Sequence, residues 1–198
     1  MYPNSIKNLV ESFKCLPGIG EKTAERLAFS VLDLEEEQID LFSSSLVSVH
    51  QKIHKCAQCN TLTDDELCFV CSDSSRNSDI LCVVEDSKSV FLFEKLGMFS
   101  GKYHVLDGLI SPLDGVNPED IGINQLLDRI HNESFQEIVF AFKPCIEGET
   151  TALYIKKILE GIDIKVTRLA SGLPIGADIE YVDSLTLEMA LNDRKVIE

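Results

Sequence analysis

Cys56-Ala57-Gln58-Cys59 and Cys68-Phe69-Val70-Cys71, separated by eight residues, are the stretch around which this chain is organised. Each CxxC pair wraps two thiolates around one cation. Two such hairpins facing each other complete the tetrahedral four-sulfur geometry that zinc accepts in closed structural positions. Asn60, Thr61, Asp64 and Asp65 supply turn chemistry between the pairs. The spacer is shorter than in the common zinc-ribbon pattern, so a compact knuckle is expected. Disulfides are the alternative. Against them stand an odd number of cysteines, seven, and an N-terminus, MYPNSIKNLV, with neither a cationic nor an apolar secretory region. His50 and His54 stand close enough in sequence to offer a ligand set of three cysteines and one histidine. With four cysteines in register, a surface or packing role is expected of both.

The rest of the composition sets bounds. The 198 residues suffice for one medium domain with an appendage or for two small domains, and 44% hydrophobic content supports a real core. No apolar run reaches membrane-spanning length, so a soluble protein of a reducing cytoplasm is expected. The net charge of -15 argues against a general electrostatic grip on nucleic acid. The acidic excess is heavier after residue 76. Any nucleic-acid contact must therefore be local, while the second half suits cations or a basic protein partner.

Upstream of the cysteines the pattern is helical. Ile6, Leu9, Val10 and Phe13 recur at helical spacing over residues 3–14, with Pro3 in the first turn. Leu16-Pro17-Gly18-Ile19-Gly20-Glu21-Lys22-Thr23-Ala24 follows, then a second periodic segment with Ala24, Leu27, Ala28 and Val31 on one face. Two helices joined by a tight Gly-x-Gly turn form a helix-hairpin-helix pattern. Gly18 and Gly20 allow close approach to a phosphate, and the second helix directs its free N–H groups at that anion. Lys22 and Arg26, four residues apart, are placed to face the same nucleic-acid backbone. A plain αα-hairpin is the alternative, but LPGIGxKTA is more specific than a lone GxG. A third helix is expected over residues 35–54, with Glu35-Glu36-Glu37 at its positive end and Ile39, Phe42, Leu46, Val49 and Ile53 as a buried stripe.

Downstream, the polar stretch from Ser72 to Asp79 reads as a boundary, and strands then alternate with helices. Strands are expected at Ile80–Val84, Tyr103–Leu106, Glu137–Phe142 and Ile164–Thr167. Helices are expected from Ser87, as cap, to Leu96; from Pro118 through Ile130; and from Glu149 to Leu159. That alternation implies an α/β sandwich around a mostly parallel sheet. Ligands of such sheets bind outside the carboxyl ends of the strands. Glu85 stands just after the first strand, and Glu147 and Glu149 just after the third. On an extended loop these three would converge on a hard cation such as magnesium. Equally, they are solvated carboxylates at a loop and a helix start. His104 lies within a strand and reads as structural; Cys15, Cys82 and Cys145 read as buried thiols.

Taken together, YPxxIxxLVESFKCLPGIGEKTAERLAF, CxxC-x8-CxxC, ILCVVED, YHVLDGLISPLDGV, CIEGETTALYI and TRLASGLPIGADIEYVDSLTLEMAL resemble the bacterial RecR family of recombination mediators over nearly the whole chain. The resemblance implies a helix-hairpin-helix region over 1–53, a four-cysteine zinc module over 54–76, a Toprim domain over 78–172 and a C-terminal packing segment over 173–198. It implies a ring-like homotetramer that clamps DNA without sequence specificity, binding single- and double-stranded or gapped forms. It also implies action with RecO and RecF to load RecA at single-stranded gaps in the bacterial cytoplasm, associated with the nucleoid. By motif, Lys22, Arg26, Gly18 and Gly20 would contact DNA. Cys56, Cys59, Cys68 and Cys71 would ligate one structural zinc, and Glu85, Glu147 and Glu149 would form the Toprim acidic cluster. Lys143 stands where the family usually has asparagine, and is expected to pair with Glu147 or Glu149 and compete with magnesium. Ser171 stands where histidine is common.

Two functions follow. The first is a non-enzymatic clamp whose acidic face binds RecO; the second is a magnesium-dependent phosphoryl-transfer enzyme. Toprim catalysts carry Glu plus Asp-x-Asp, whereas this chain has Glu plus Glu-x-Glu, and it has no room for the further domain that carries a topoisomerase tyrosine. The clamp is the favoured reading.

Overall fold

A computed structural model describes residues 2–170, 172–173, 175–194 and 196, so that Ser171 lies outside the described residues. The chain divides into two compact units, residues 1–53 and 54–198.

The first unit is helical: α1 (Asn4–Lys14), α2 (Glu21–Val31) and α3 (Glu36–Lys52). Val10, Ala24 and Ala28 are its buried centre, with Ile6, Leu9, Phe13 and Ile19 packed around them. Alanines one turn apart on α2 leave room for α1 to lie close, so a small apolar area suffices to join the pair. Helix α3 starts where expected, because the Glu35 and Gln38 side chains cap each other's backbone N–H groups. Its apolar stripe, however, is not buried. No residue of α3 is, and Leu46 and Val49 are 60% and 63% exposed. Helical periodicity marks a face that prefers to be covered without stating by what, and this chain leaves it open.

The second unit opens with a two-residue antiparallel pair, β1 (His54–Lys55) and β2 (Leu62–Thr63), which carries the cysteine knuckle. A four-stranded, all-parallel sheet follows in the order β4-β3-β5-β6, from β3 (Ile80–Val84), β4 (Lys102–Val105), β5 (Glu137–Ala141) and β6 (Lys165–Arg168). Helices α4 (Ser87–Leu96), α5 (Ile123–Asn132) and α6 (Ile146–Ile158) are its crossovers, and α7 (Ser184–Asn192) comes last. Strand alternation sorts the core into two layers. Leu81, Val83, Ile138 and Phe140 pack with Leu126 and Ile130 of α5 and Ile155 of α6. Cys82, Val84, Tyr103 and Val105 point the other way, where Val90 of α4 and the knuckle residues Cys56, Cys59, Cys68 and Val70 cover them. The knuckle is therefore part of the wall of the α/β core.

Three local readings change. Asp86, accepting from the Ser89 N–H at 2.9 Å, caps α4 in place of Ser87. Pro118–Asp120 forms a separate 3-10 turn, and α5 begins at Ile123. Helix α6 begins at Ile146, three residues earlier than expected, with Cys145 as its cap. The polar stretch after Cys71, read as a boundary, is anchored: Arg76 is held by Glu94 and donates to the Phe99 carbonyl at 3.1 Å, while the Asn77 N–H donates to Ser100 O at 2.9 Å.

Candidate functional site

The knuckle sulfurs of Cys56, Cys59, Cys68 and Cys71 all lie within 4.8 Å of one another, with Cys59 and Cys68 at 3.5 Å. A zinc tetrahedron with bonds of about 2.3 Å has sulfur–sulfur edges of roughly 3.8 Å, so the four fit it. The surroundings match thiolates. The Cys68 N–H donates to Cys56 Sγ at 3.3 Å, and the buried Thr61 hydroxyl sits 3.2 Å from Cys59 Sγ. Packed together, the sulfurs oppose joint ionisation: contact with Cys59 lowers Cys68, while Cys59 and Cys71 are raised by their sulfur neighbours. A divalent cation removes that conflict. Among the described residues this is the one cluster of three or more metal-ligating side chains. The chain carries one structural zinc, for which Cys56, Cys59, Cys68 and Cys71 would supply all four ligands.

In the hairpin, Gly18 has φ +81°, a left-handed conformation that turns the chain after Pro17. Gly20 is the N-cap of α2, and added Cβ atoms at Gly18 or Gly20 would meet nothing within 4 Å. The outer side of the turn is thus open to a ligand. Lys22 and Arg26 are exposed on α2, and among the described residues neither forms an ion pair. Lys14, by contrast, is taken up by Glu11 at 2.9 Å and Glu21 at 2.6 Å. That pairing offsets the charge of Glu21, which as the first residue of α2 would otherwise oppose an incoming anion.

The acidic residues sit at the carboxyl edge of the sheet, but they do not converge. The chain turns back between β3 and β5, the place where such sheets form a ligand crevice. There Lys143 Nζ lies 3.2 Å from Glu85 Oε1. Glu149 is paired with Arg168 at 2.7 Å. Because α6 starts early, Glu147 and Glu149 lie in its first turn, two residues apart and so directed to different sides. The extended-loop reading of this pair is corrected, as is the expected partner of Lys143, which is Glu85. Gly148 allows this tight start, since an added Cβ would sit 2.3 Å from the Lys143 carbonyl. The Lys143 ammonium is raised by Glu85, and Glu147 is lowered chiefly by its own backbone N–H at the helix start. Beside them is an open cleft of about 630 Å³ with an apolar floor that includes Phe140, Phe142, Leu185 and Met189.

Other expected residues fall as follows. His104 is fully buried, with Nε2 3.2 Å from the Gly122 carbonyl, and burial lowers its pKa to about 4. Cys82 is a buried thiol pushed up to about 12 by desolvation. Cys15 is exposed and Cys145 half-buried, because flanking apolar residues do not decide which way a helix-end side chain points. Several anchors carried no motif signal: Arg76 with Glu94, Lys55 with Asp107 at 2.6 Å, and buried Arg129, whose Nε donates to Glu133 at 2.7 Å. Single charges scattered among turn residues look alike until the fold pairs them.

Comparison with known families matches the RecR helix-hairpin-helix over residues 6–50 and the RecR four-cysteine zinc finger domain over 53–73. The Toprim domain matches over 79–170, and the RecR C-terminal region over 172–195. No helix among the described residues is long and apolar enough to cross a membrane. Hairpin, zinc knuckle, parallel sheet and C-terminal segment thus match in order, and the chain belongs to the RecR family, whose domains support interaction with DNA and a role in recombinational repair.

Proposed function

We propose that this chain is a non-enzymatic DNA-binding clamp and mediator that acts with RecO and RecF to load RecA at single-stranded gaps. The observation that carries the reading is the α2 N-terminus: an open glycine turn with exposed Lys22 and Arg26, neither ion-paired among the described residues. Phosphate bound there meets free backbone N–H groups and two cations, a contact blind to base sequence. A net charge of -15 makes one such contact weak, so several hairpins must act at once. That requirement supports a homo-oligomer, a tetramer in this reading, and the exposed apolar stripe of α3 supports a self-contact. The working division is 1–53 for DNA contact, 54–76 for zinc, 78–172 for partner binding and 173–198 for assembly.

RecO is assigned to the acidic edge. Glu147 at the rim of the apolar cleft suits a partner segment that is both basic and apolar. Engagement of Glu85 by Lys143 and Glu149 by Arg168 disfavours magnesium and with it phosphoryl transfer. The protein is placed in the bacterial cytoplasm, on the nucleoid. The test is a gapped duplex incubated with protein and magnesium. Salt-sensitive binding with every strand intact is expected; strand cleavage that depends on Glu85 would overturn the non-enzymatic reading.

A further inference from the structure

The zinc knuckle is fastened to both loops that leave the carboxyl ends of the neighbouring strands β3 and β4. Towards β3, the Leu62 N–H of the knuckle donates to Ser87 Oγ at 3.0 Å. Ser87 is buried and lies two residues after Glu85, and it is free for this task because Asp86 caps α4. Towards β4, the Val105 N–H donates to the Cys59 carbonyl at 2.8 Å, and Asn60 Nδ2 donates to the Val105 carbonyl at 3.3 Å. The two loops are also joined to each other, through the Gly108 N–H to Glu85 O at 3.2 Å. Within the knuckle, Thr61 links metal and loop: its hydroxyl touches Cys59 Sγ, its carbonyl accepts from the Cys56 N–H at 2.8 Å, and Leu62 is its neighbour.

We propose that Ser87 is a positioning residue which transmits metal occupancy of the knuckle to the Glu85 loop, so that the Glu85 side of the acidic edge is ordered only while zinc is bound. Zinc fixes Cys59 and Thr61; these fix the Leu62 N–H, and Leu62 fixes Ser87 and with it Asp86 and Glu85. Loss of the metal frees the span from Cys59 to Cys68 and releases the tie. The relay itself needs no partner. Its consequence, that partner binding at this edge depends on zinc, rests on the reading of the acidic edge proposed above.

Hydrogen–deuterium exchange on the full chain tests the relay without any partner. In zinc-loaded protein, Ser87→Ala should speed exchange of residues 85–89 roughly fivefold, the factor one net hydrogen bond carries, at unchanged zinc content. Ser87→Thr, which keeps the hydroxyl, should restore slow exchange. Chelation of wild-type protein should speed residues 85–89 and 105–109 while residues 146–158 stay slow, and in Ser87→Ala it should add less at 85–89 than it does in wild type. Unaltered exchange at 85–89 in zinc-loaded Ser87→Ala would overturn the relay. So would equal acceleration of 146–158 on chelation, which would mean that zinc holds up the whole unit without a directed link.

Discussion

Lys143 and Glu85 form an ion pair of 3.2 Å across the crevice between β5 and β3, the point where the parallel sheet reverses its winding. An ammonium in that position occupies the charge a hard cation would otherwise neutralise. Arg168 does the same for Glu149. Two of the three carboxylates at the acidic edge are thus ion-paired within the chain.

The first prediction concerns that substitution of ammonium for metal. Manganese titrated into wild-type protein and followed by its paramagnetic resonance should show weak, unsaturated binding. In Lys143→Asn combined with Arg168→Ala, the freed carboxylates should bind it several-fold more tightly. Equal affinity in the two proteins would mean that the pairs do not suppress metal binding.

Burial of His104 predicts a pH effect on stability. Its folded pKa is about 4 against an unfolded value of about 6.5, so the unfolded chain takes up the proton first. Stability should be full above pH 6.5 and fall as pH drops towards 4, by about 3 kcal/mol in all, then level off for this group. Urea unfolding between pH 7 and 5 checks it, since the depressed carboxylates Glu94 and Glu133 titrate lower still. His104→Gln should flatten the slope in that window; an unchanged slope would assign it to another group.

The open stripe of α3 predicts a self-contact. Leu46 is 60% exposed, so Leu46→Glu should leave the melting of an isolated chain little changed. A charge placed in an apolar interface should instead reduce the mass in solution, read by light scattering. An unchanged mass would move the contact elsewhere on the chain.

Much of this was legible in residue order. Four cysteines at fixed spacing and a GxG turn between apolar periods each carry their geometry locally, and the central strands β3 and β5 were legible because buried parallel strands are nearly continuous apolar runs. What was not legible depended on distant residues. The α6 start moved to Ile146 because Cys145 caps it and Gly148 lets it close on Lys143, and that shift of less than one turn separated Glu147 from Glu149. Lys143 found Glu85, 58 positions away, because sheet order places β5 beside β3. The knuckle packed into the sheet wall because α4 alone does not cover Cys82, Val84, Tyr103 and Val105.

The central claim is that DNA is held by backbone phosphates at the α2 hairpin, and the salt dependence of binding tests it most directly. Affinity of a gapped duplex for wild-type protein and for Lys22→Ala with Arg26→Ala should be measured across a salt series. The account predicts weaker binding and a log–log slope shallower by roughly two per engaged hairpin in the double variant, with the loss equal for unrelated sequences. The same affinity and the same slope in both proteins would contradict it.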